Sequence, residues 1–193
     1  MKFRLSEERT QWRISLTSLS IGAALIYLWD LANGQRSEYY AAIAMAMSKS
    51  FSNLFFGTLD PGGSVTLDKI PGSYWIPAIF VKIFGFSTWA VNAPNAIATV
   101  CTVIVVAITI KNLYGKTAGL IAGAIFATTP IVAAVSRSNQ PQSYFLLTLA
   151  ISSWAAVKAL QNNSRKYLII AGVWIAVAFH TYMLEAWALW PAL

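Results

Sequence analysis

Five stretches of this chain are apolar over the length a helix needs to cross a bilayer: Ile14–Ala32, Trp89–Ile110, Thr117–Val135, Ser143–Leu160 and Tyr167–Ala186. A span takes about 20 mostly apolar residues, and in hydrocarbon the backbone must satisfy its own polar groups, which a helix does. Three connections are short: Lys111–Lys116, Ser136–Gln142 and Gln161–Lys166. Short connections make successive helices antiparallel neighbours. The expected fold is all-α, a polytopic transmembrane bundle of about five spans forming a single membrane domain over residues 1–193. Only 11% of the residues are charged, against about 25% in a soluble domain.

The net charge is +7. In a soluble protein that excess would point to nucleic acid. Here it is read by topology, because Lys and Arg gather on the cytoplasmic side of a membrane protein, and no nucleic-acid partner is expected. With the N-terminus inside, Lys2, Arg4, Arg9, Arg13, Lys111, Lys116, Lys158, Arg165 and Lys166 are cytoplasmic, nine of the fourteen basic residues. Residues 1–13 are then a basic cytoplasmic tail. The reverse orientation would put that tail and both basic hairpins outside. The first apolar run is long for a signal-peptide core and no small-x-small site follows it, so it reads as an uncleaved span. The expected location is the cell membrane, multi-pass, with a cytoplasmic N-terminus. The single cysteine, Cys101, excludes an intrachain disulfide.

The first loop, residues 33–88, is long for a structureless segment. Ser37–Phe51 predicts a helix, with Glu38 in its first turn and Tyr40, Ile43, Ala44 and Met47 on its apolar face. Ser73–Phe84 is apolar but too short to span, and it holds Pro77 and Lys82. It predicts a helix at the membrane interface, anchored by Tyr74, Trp75 and Trp89. Between the two lies Leu59–Trp75, the densest polar island of the chain. Asp60 and Asp68 stand eight positions apart, Lys69 follows the second acid, and Pro61, Gly62, Gly63, Pro71 and Gly72 interrupt any regular element.

Asp30, Glu38, Asp60, Asp68 and Glu185, with the single His180, all fall toward the outer ends of spans. The plain reading is a wet outer rim. The sharper one is a shared outer-face site, because ionisable groups near membrane depth usually line a cavity. A carboxylate can act as general base or hold a divalent cation, and lysine is a point charge for phosphate. An Asp-Lys pair roofed by an aromatic-rich amphipathic segment suits a substrate with a phosphate head and a lipid tail. The alternative is a solvated Asp68–Lys69 pair in a turn.

Several short blocks add to this pattern. They are Tyr39-Tyr40-Ala41-Ala42, Ser48-Lys49-Ser50, Phe55-Phe56-Gly57-Thr58-Leu59-Asp60, Val65-Thr66-Leu67-Asp68-Lys69-Ile70-Pro71, Trp75, and Ile83-Phe84-Gly85-Phe86-Ser87-Thr88-Trp89. Their order resembles the bacterial branch of the GT-C membrane glycosyltransferases, the protein-mannosyltransferase-like enzymes related to the aminoarabinose transferase of lipid A. The likeness covers most of Gly34 to Pro191. It implies a large outer catalytic loop with interfacial helices. It also implies sugar transfer from a polyprenyl-phosphate carrier to a glycan, lipid or protein acceptor on the outer face. By motif, Lys69 is the phosphate-contacting residue, helped by Arg137 from the second outer loop. Asp68 and Asp60 are the acid candidates, with Glu38 a candidate substitute for an acidic pair found in relatives. Tyr40, Trp75, Asn139, His180 and Glu185 are candidates for lining the substrate. No cofactor or metal ligand set is required on this reading, and a divalent cation stays open. The chain departs from the branch at Gln142, where relatives often carry an acid, at Tyr182 in place of lysine, and at Glu185 in place of glutamine. Related enzymes carry more spans, so the expectation is the N-terminal part of a longer enzyme. The alternative is a truncated or non-catalytic membrane subunit, a pseudo-enzyme of the same fold.

Overall fold

The structure is a computed structural model that describes residues 2–186. The side chains of Lys2 and Arg4, and the end of the resembling stretch at Pro191, lie outside the described residues. Among the described residues, four helices are long and apolar enough to cross a membrane: Glu7–Asn33, Thr88–Tyr114, Gln142–Asn162 and Arg165–Ala186. A fifth apolar unit, Lys116–Thr128 with Pro130–Ser136, is bent by 63° at its break. The expected all-α polytopic bundle is thus what the chain forms.

In chain order the helices are α1 (Lys2–Leu28), α2 (Glu38–Met47), α3 (Phe51–Phe56), α4 (Gly72–Phe84), α5 (Thr88–Tyr114), α6 (Lys116–Thr128), α7 (Pro130–Ser136), α8 (Gln142–Asn162) and α9 (Arg165–Tyr182). Helix α5 is the hub and packs on α1, α4, α6 and α8. Its contact with α6 is close because Gly119 has no side chain: a Cβ there would lie 2.5 Å from the Ala107 carbonyl oxygen. Gly123, one turn on, would put a Cβ 2.7 Å from a methyl carbon of Leu19 on α1. Small residues four apart let helix backbones approach in this way. The core behind them joins Ala23, Tyr27 and Leu31 to Ala93, Ala96, Val103 and Ala127.

The third predicted span, Thr117–Val135, is two helices rather than one. Pro130 disfavours helical backbone at the residue before it, and Thr129 takes φ −66°, ψ 119°. Pro130 then starts α7, where its missing N–H costs nothing. Three carbonyls freed at the end of α6, those of Ile125, Phe126 and Ala127, find partners. Thr128 Oγ1 donates to Ala124 O, Thr129 Oγ1 to Ile125 O, and Thr129 N to Phe126 O. The buried Tyr27 hydroxyl donates to Ala127 O at 2.8 Å.

The first loop is folded, as its length predicts. The apolar face expected on α2 is buried, with Ile43, Ala44 and Met47 packed against Tyr74, Ala78 and Val81 of α4 and the start of α5. The helix ends at Met47, not Phe51, because Ser50 caps a new helix: its hydroxyl accepts the Asn53 N–H at 3.0 Å. Helix α3 leaves Phe51, Phe55 and Phe56 exposed. The other predicted interfacial helix is α4, with Ile76, Ile79, Ile83 and Phe84 facing outward.

The two ends of the bundle differ in character. At one end, Lys116 pairs with Glu8 at 2.9 Å, Lys111 lies 4.7 Å from the Trp12 ring centroid, and Gln161 reaches Asn112 O. At the other end sit α2–α4, the start of α8 and the end of α9. Three asparagines lock that end. Asn92 Nδ2 donates to Gln35 O and Arg137 O, and Asn95 Nδ2 to Ser138 O and Gln140 O. Asn139 accepts from Ser37 N through Oδ1 and donates to Ser37 O through Nδ2. The loops after α1 and α7 are thereby fixed to the top of α5 and to each other.

Candidate functional site

The polar island is a tight reversal that carries Asp68 and Lys69 to α2. Gly57 and Gly63 take φ of 71° and 74°, a region that suits glycine, and Thr58 bridges Thr66. Asp60 organises the turn. It accepts the Val65 N–H at 2.7 Å and the Ser64 hydroxyl at 3.0 Å. The Val65 amide, with that of Ser64, holds its carboxyl below the ordinary carboxylate range. Asn53 secures the turn from beneath by donating to Ala46 O and Pro61 O. Leu67 N returns to Gly57 O at 3.1 Å, and Asp68 and Lys69 follow.

Helix α4 starts two residues after Ile70 and leans on the end of α9. Gly72 makes this possible, since a Cβ there would come within 2.2 Å of the His180 carbonyl oxygen. Ser73 Oγ donates to Thr181 O, and Trp75 stacks on His180 with ring centroids 6.1 Å apart. The Trp75 indole also donates to Leu54 O at 2.9 Å. Past α9, Met183 takes φ 52°, and the short turn at 183–186 brings Met183 and Glu185 round to the same side.

These elements enclose a cavity of about 240 Å³, walled by Tyr40, Asp68, Lys69, Tyr74, Tyr182 and Glu185, with Pro141 and Met183 completing it. Tyr40 stacks on Tyr74 with centroids 5.7 Å apart. Burial pushes the Tyr74 phenol up, so it stays protonated. Asp68 Oδ2 lies 3.6 Å from Lys69 Nζ. Asp68 Oδ1 accepts from the Tyr39 hydroxyl at 2.6 Å. That hydrogen bond is the main reason the Asp68 carboxyl sits below the usual range, and the Lys69 charge adds to it. The wall therefore presents one cation, two carboxylates and three phenols. Asp68 and Glu185 are the side chains that could offer oxygens to a divalent cation. Among the described residues, no three of His, Cys, Asp and Glu gather as a ligand set.

Of the residues singled out by sequence, Tyr40, Asp68, Lys69 and Glu185 come together on this cavity. Trp75 and His180 stack at its edge and hold α4 to α9. Asp60 shapes the turn and Glu38 pairs with Arg36 at 2.9 Å, largely exposed. Arg137 points away, its Nη1 donating to Ile26 O at 2.9 Å on α1. Asn139 is buried and joins the two loops. Sequence reasoning gave no role in the site to Tyr39, Asn92 and Asn95, and took Tyr74 for an interface anchor, whereas it is buried in the cavity wall. The Tyr39-Tyr40 pair followed by small residues was the available signal for the first; the asparagines gave none beyond being polar inside an apolar run.

Gln142 and Tyr182, the two departures noted above, touch. Gln142 Nε2 donates to the Tyr182 hydroxyl at 3.1 Å, forming part of a wall. Beyond it lies a wider hollow of about 520 Å³ lined by Gln35, Arg36, Ser37, Ser138, Gln140 and Gln142.

Comparison with known proteins matches residues 68–193 to the family described as dolichyl-phosphate-mannose-protein mannosyltransferase. Two proteins of Bacillus subtilis (strain 168), each named "Putative mannosyltransferase", are similar to this chain. YycA is 38% identical over 86% of this chain, and YkcB is 32% identical over 97%. The chain spans 24% and 26% of their respective lengths, about a quarter of each. No solved structure matches. The cavity walls formed by Asp68, Lys69, Tyr74, Tyr182 and Glu185 all lie within the matched segment, and the chain belongs to the dolichyl-phosphate-mannose-protein mannosyltransferase family of membrane glycosyltransferases.

Proposed function

We propose that this chain carries the reacting site of a membrane glycosyltransferase that moves a sugar from a polyprenyl-phosphate carrier to an acceptor on the outer face of the membrane. The observation that carries this reading is the Asp68–Lys69 pair on the wall of a cavity closed by α2, α4 and the end of α9. A phosphate entering there meets an ammonium, and an acceptor hydroxyl meets a carboxylate. Arg137 bonds to α1, so leaving-group charge falls to Lys69. The exposed phenylalanines of α3 and the outward isoleucines of α4 would sit in the lipid interface, where the carrier's tail lies.

The reaction is a single inverting displacement. The acceptor oxygen attacks the anomeric carbon, and its proton passes to the Asp68 carboxylate. The bond from the anomeric carbon to the phosphate oxygen breaks with its electron pair going to the phosphate. Lys69 stabilises that developing charge. The basic end supports this orientation: Arg9, Arg13, Lys111 and Lys116 lie away from the cavity, and by the tendency of Lys and Arg to gather inside we take the site to face away from the cytoplasm.

The test is transfer by membranes that contain the protein, supplied with labelled polyprenyl-phosphate mannose and with other lipid-linked sugars. Asp68→Asn is expected to lower turnover about 10²-fold or more, the range of a lost general base. Lys69→Ala is expected to lower it about 10²–10³-fold, as loss of a charge-stabilising donor does. Unchanged turnover in both variants would remove this cavity from the chemistry. A non-catalytic subunit is the second reading; the neutral Gln142–Tyr182 contact beside the cavity favours it.

A further inference from the structure

Tyr39 does not line the cavity, yet it makes a short polar contact to a residue that does. Its hydroxyl donates to Asp68 Oδ1 at 2.6 Å. The Lys69 ammonium stands 6.0 Å from its ring centroid and 3.6 Å from Asp68 Oδ2. Each member of this triangle meets the other two. The tyrosine is itself braced, its ring edge-on to Tyr40 at 5.4 Å, and Tyr40 stacks on Tyr74. Helix α2 thus reaches 29 residues along the chain to grip the turn that bears the acid.

We propose that Tyr39 is a positioning residue of this site: it commits one oxygen of Asp68 and so directs the other, beside Lys69, to the substrate. A carboxylate free to rotate would divide its time between Lys69 and solvent. Tied at Oδ1, it offers Oδ2 from one direction. The inference rests on the glycosyltransferase reading for what enters the cavity, but not for the tie itself.

The groups that face Asp68 are few. Tyr39 and Tyr40 come from α2, Tyr74 from α4, Tyr182 from α9 and Glu185 from the turn after it, with Lys69 adjacent. Of these, Tyr39 donates the hydrogen bond and Lys69 supplies the positive charge, and both favour the ionised acid. The same bond pushes the Tyr39 phenol up to about 12, so it remains a donor throughout the working pH range. Removing the hydroxyl takes away the largest influence that lowers the Asp68 value. Its titration must then move up, toward the ordinary aspartate value of about 3.9.

Tyr39→Phe keeps the ring and its packing and deletes only the donor. The experiment labels aspartate carboxyl carbons in the whole protein in nanodiscs and follows them by NMR from acid to neutral pH. The chain has three aspartates, Asp30, Asp60 and Asp68, and Asp68→Asn identifies the relevant signal. Transfer from a polyprenyl-phosphate sugar is measured alongside. The expected result is an Asp68 titration displaced upward in Tyr39→Phe. Turnover should fall about tenfold, a fraction of what a misplaced group can cost, with the donor KM within about twofold. An Asp68 signal that titrates alike in both proteins overturns the proposal. So does an unchanged kcat in an active enzyme. If the unaltered protein transfers no sugar, the glycosyltransferase reading falls, and the titration alone decides whether Tyr39 holds Asp68. Tyr39→Leu separates the hydroxyl from the ring: a loss shared by Phe and Leu belongs to the hydroxyl.

Discussion

Asn139 shows how a side chain can serve a site without touching it. Its amide matches both backbone polar atoms of one residue, accepting from Ser37 N at 2.8 Å and donating to Ser37 O at 2.9 Å. Only an amide of this length can do both. Asn139→Asp preserves size and shape, but turns a carboxylate toward the Ser37 carbonyl. The expected cost is about 1–3 kcal/mol, that of leaving a buried group unpaired, seen as a lower unfolding midpoint in detergent. An unmoved midpoint would mean that the loops are joined some other way. From sequence, an asparagine in a short polar connection reads equally well as a substrate contact or a brace. The partner lies 102 residues away, and no local pattern carries that distance. Asp68 and Lys69 were legible because two unlike charges, side by side in so apolar a chain, need a reason to be there.

Among the helices, the apolar periods located the spans and two of the three helices of the first loop, α2 and α4, since hydrophobicity and length decide those elements alone. What the periods concealed is where backbone geometry interrupts them. Ser50 ends one helix by starting the next, and Pro130 splits a largely apolar run. The split is stable because Tyr27, a full helix away, supplies the hydrogen for the Ala127 carbonyl. Tyr27→Phe leaves that carbonyl buried without its donor. Such bonds inside membranes are worth about 0.6 and up to about 1.7 kcal/mol, so the variant should unfold at a measurably lower temperature in detergent while still inserting in membranes. Equal thermal midpoints would show that the break needs no support from α1.

For the molecule as a whole, one decisive property is the contrast between its ends. Lysines and arginines cluster where α1 begins and α5 turns into α6, and the cavity lies at the other end. If the charges set the orientation, a single cysteine at the exposed Ser64, placed in a Cys101→Ser background, will react in intact cells with a maleimide that cannot cross membranes. One at Asn163, at the basic end, will react only after lysis. The reverse pattern would turn the site toward the cytoplasm and end the case for an outer-face transfer.

The break between α6 and α7 also reaches beyond the protein. The 13 residues of α6 rise about 20 Å. The seven of α7, turned by 63°, add only about 5 Å more along the same axis. The pair covers roughly 25 Å of a hydrocarbon slab near 30 Å, whereas the 27 residues of α5 beside it rise about 40 Å. Lipids cannot match both at once. One accommodation of a short span is a locally thinner bilayer, which would put a dimple on that flank. A long isoprenoid, kinked and poorly packed, would collect where the acyl chains are already compressed.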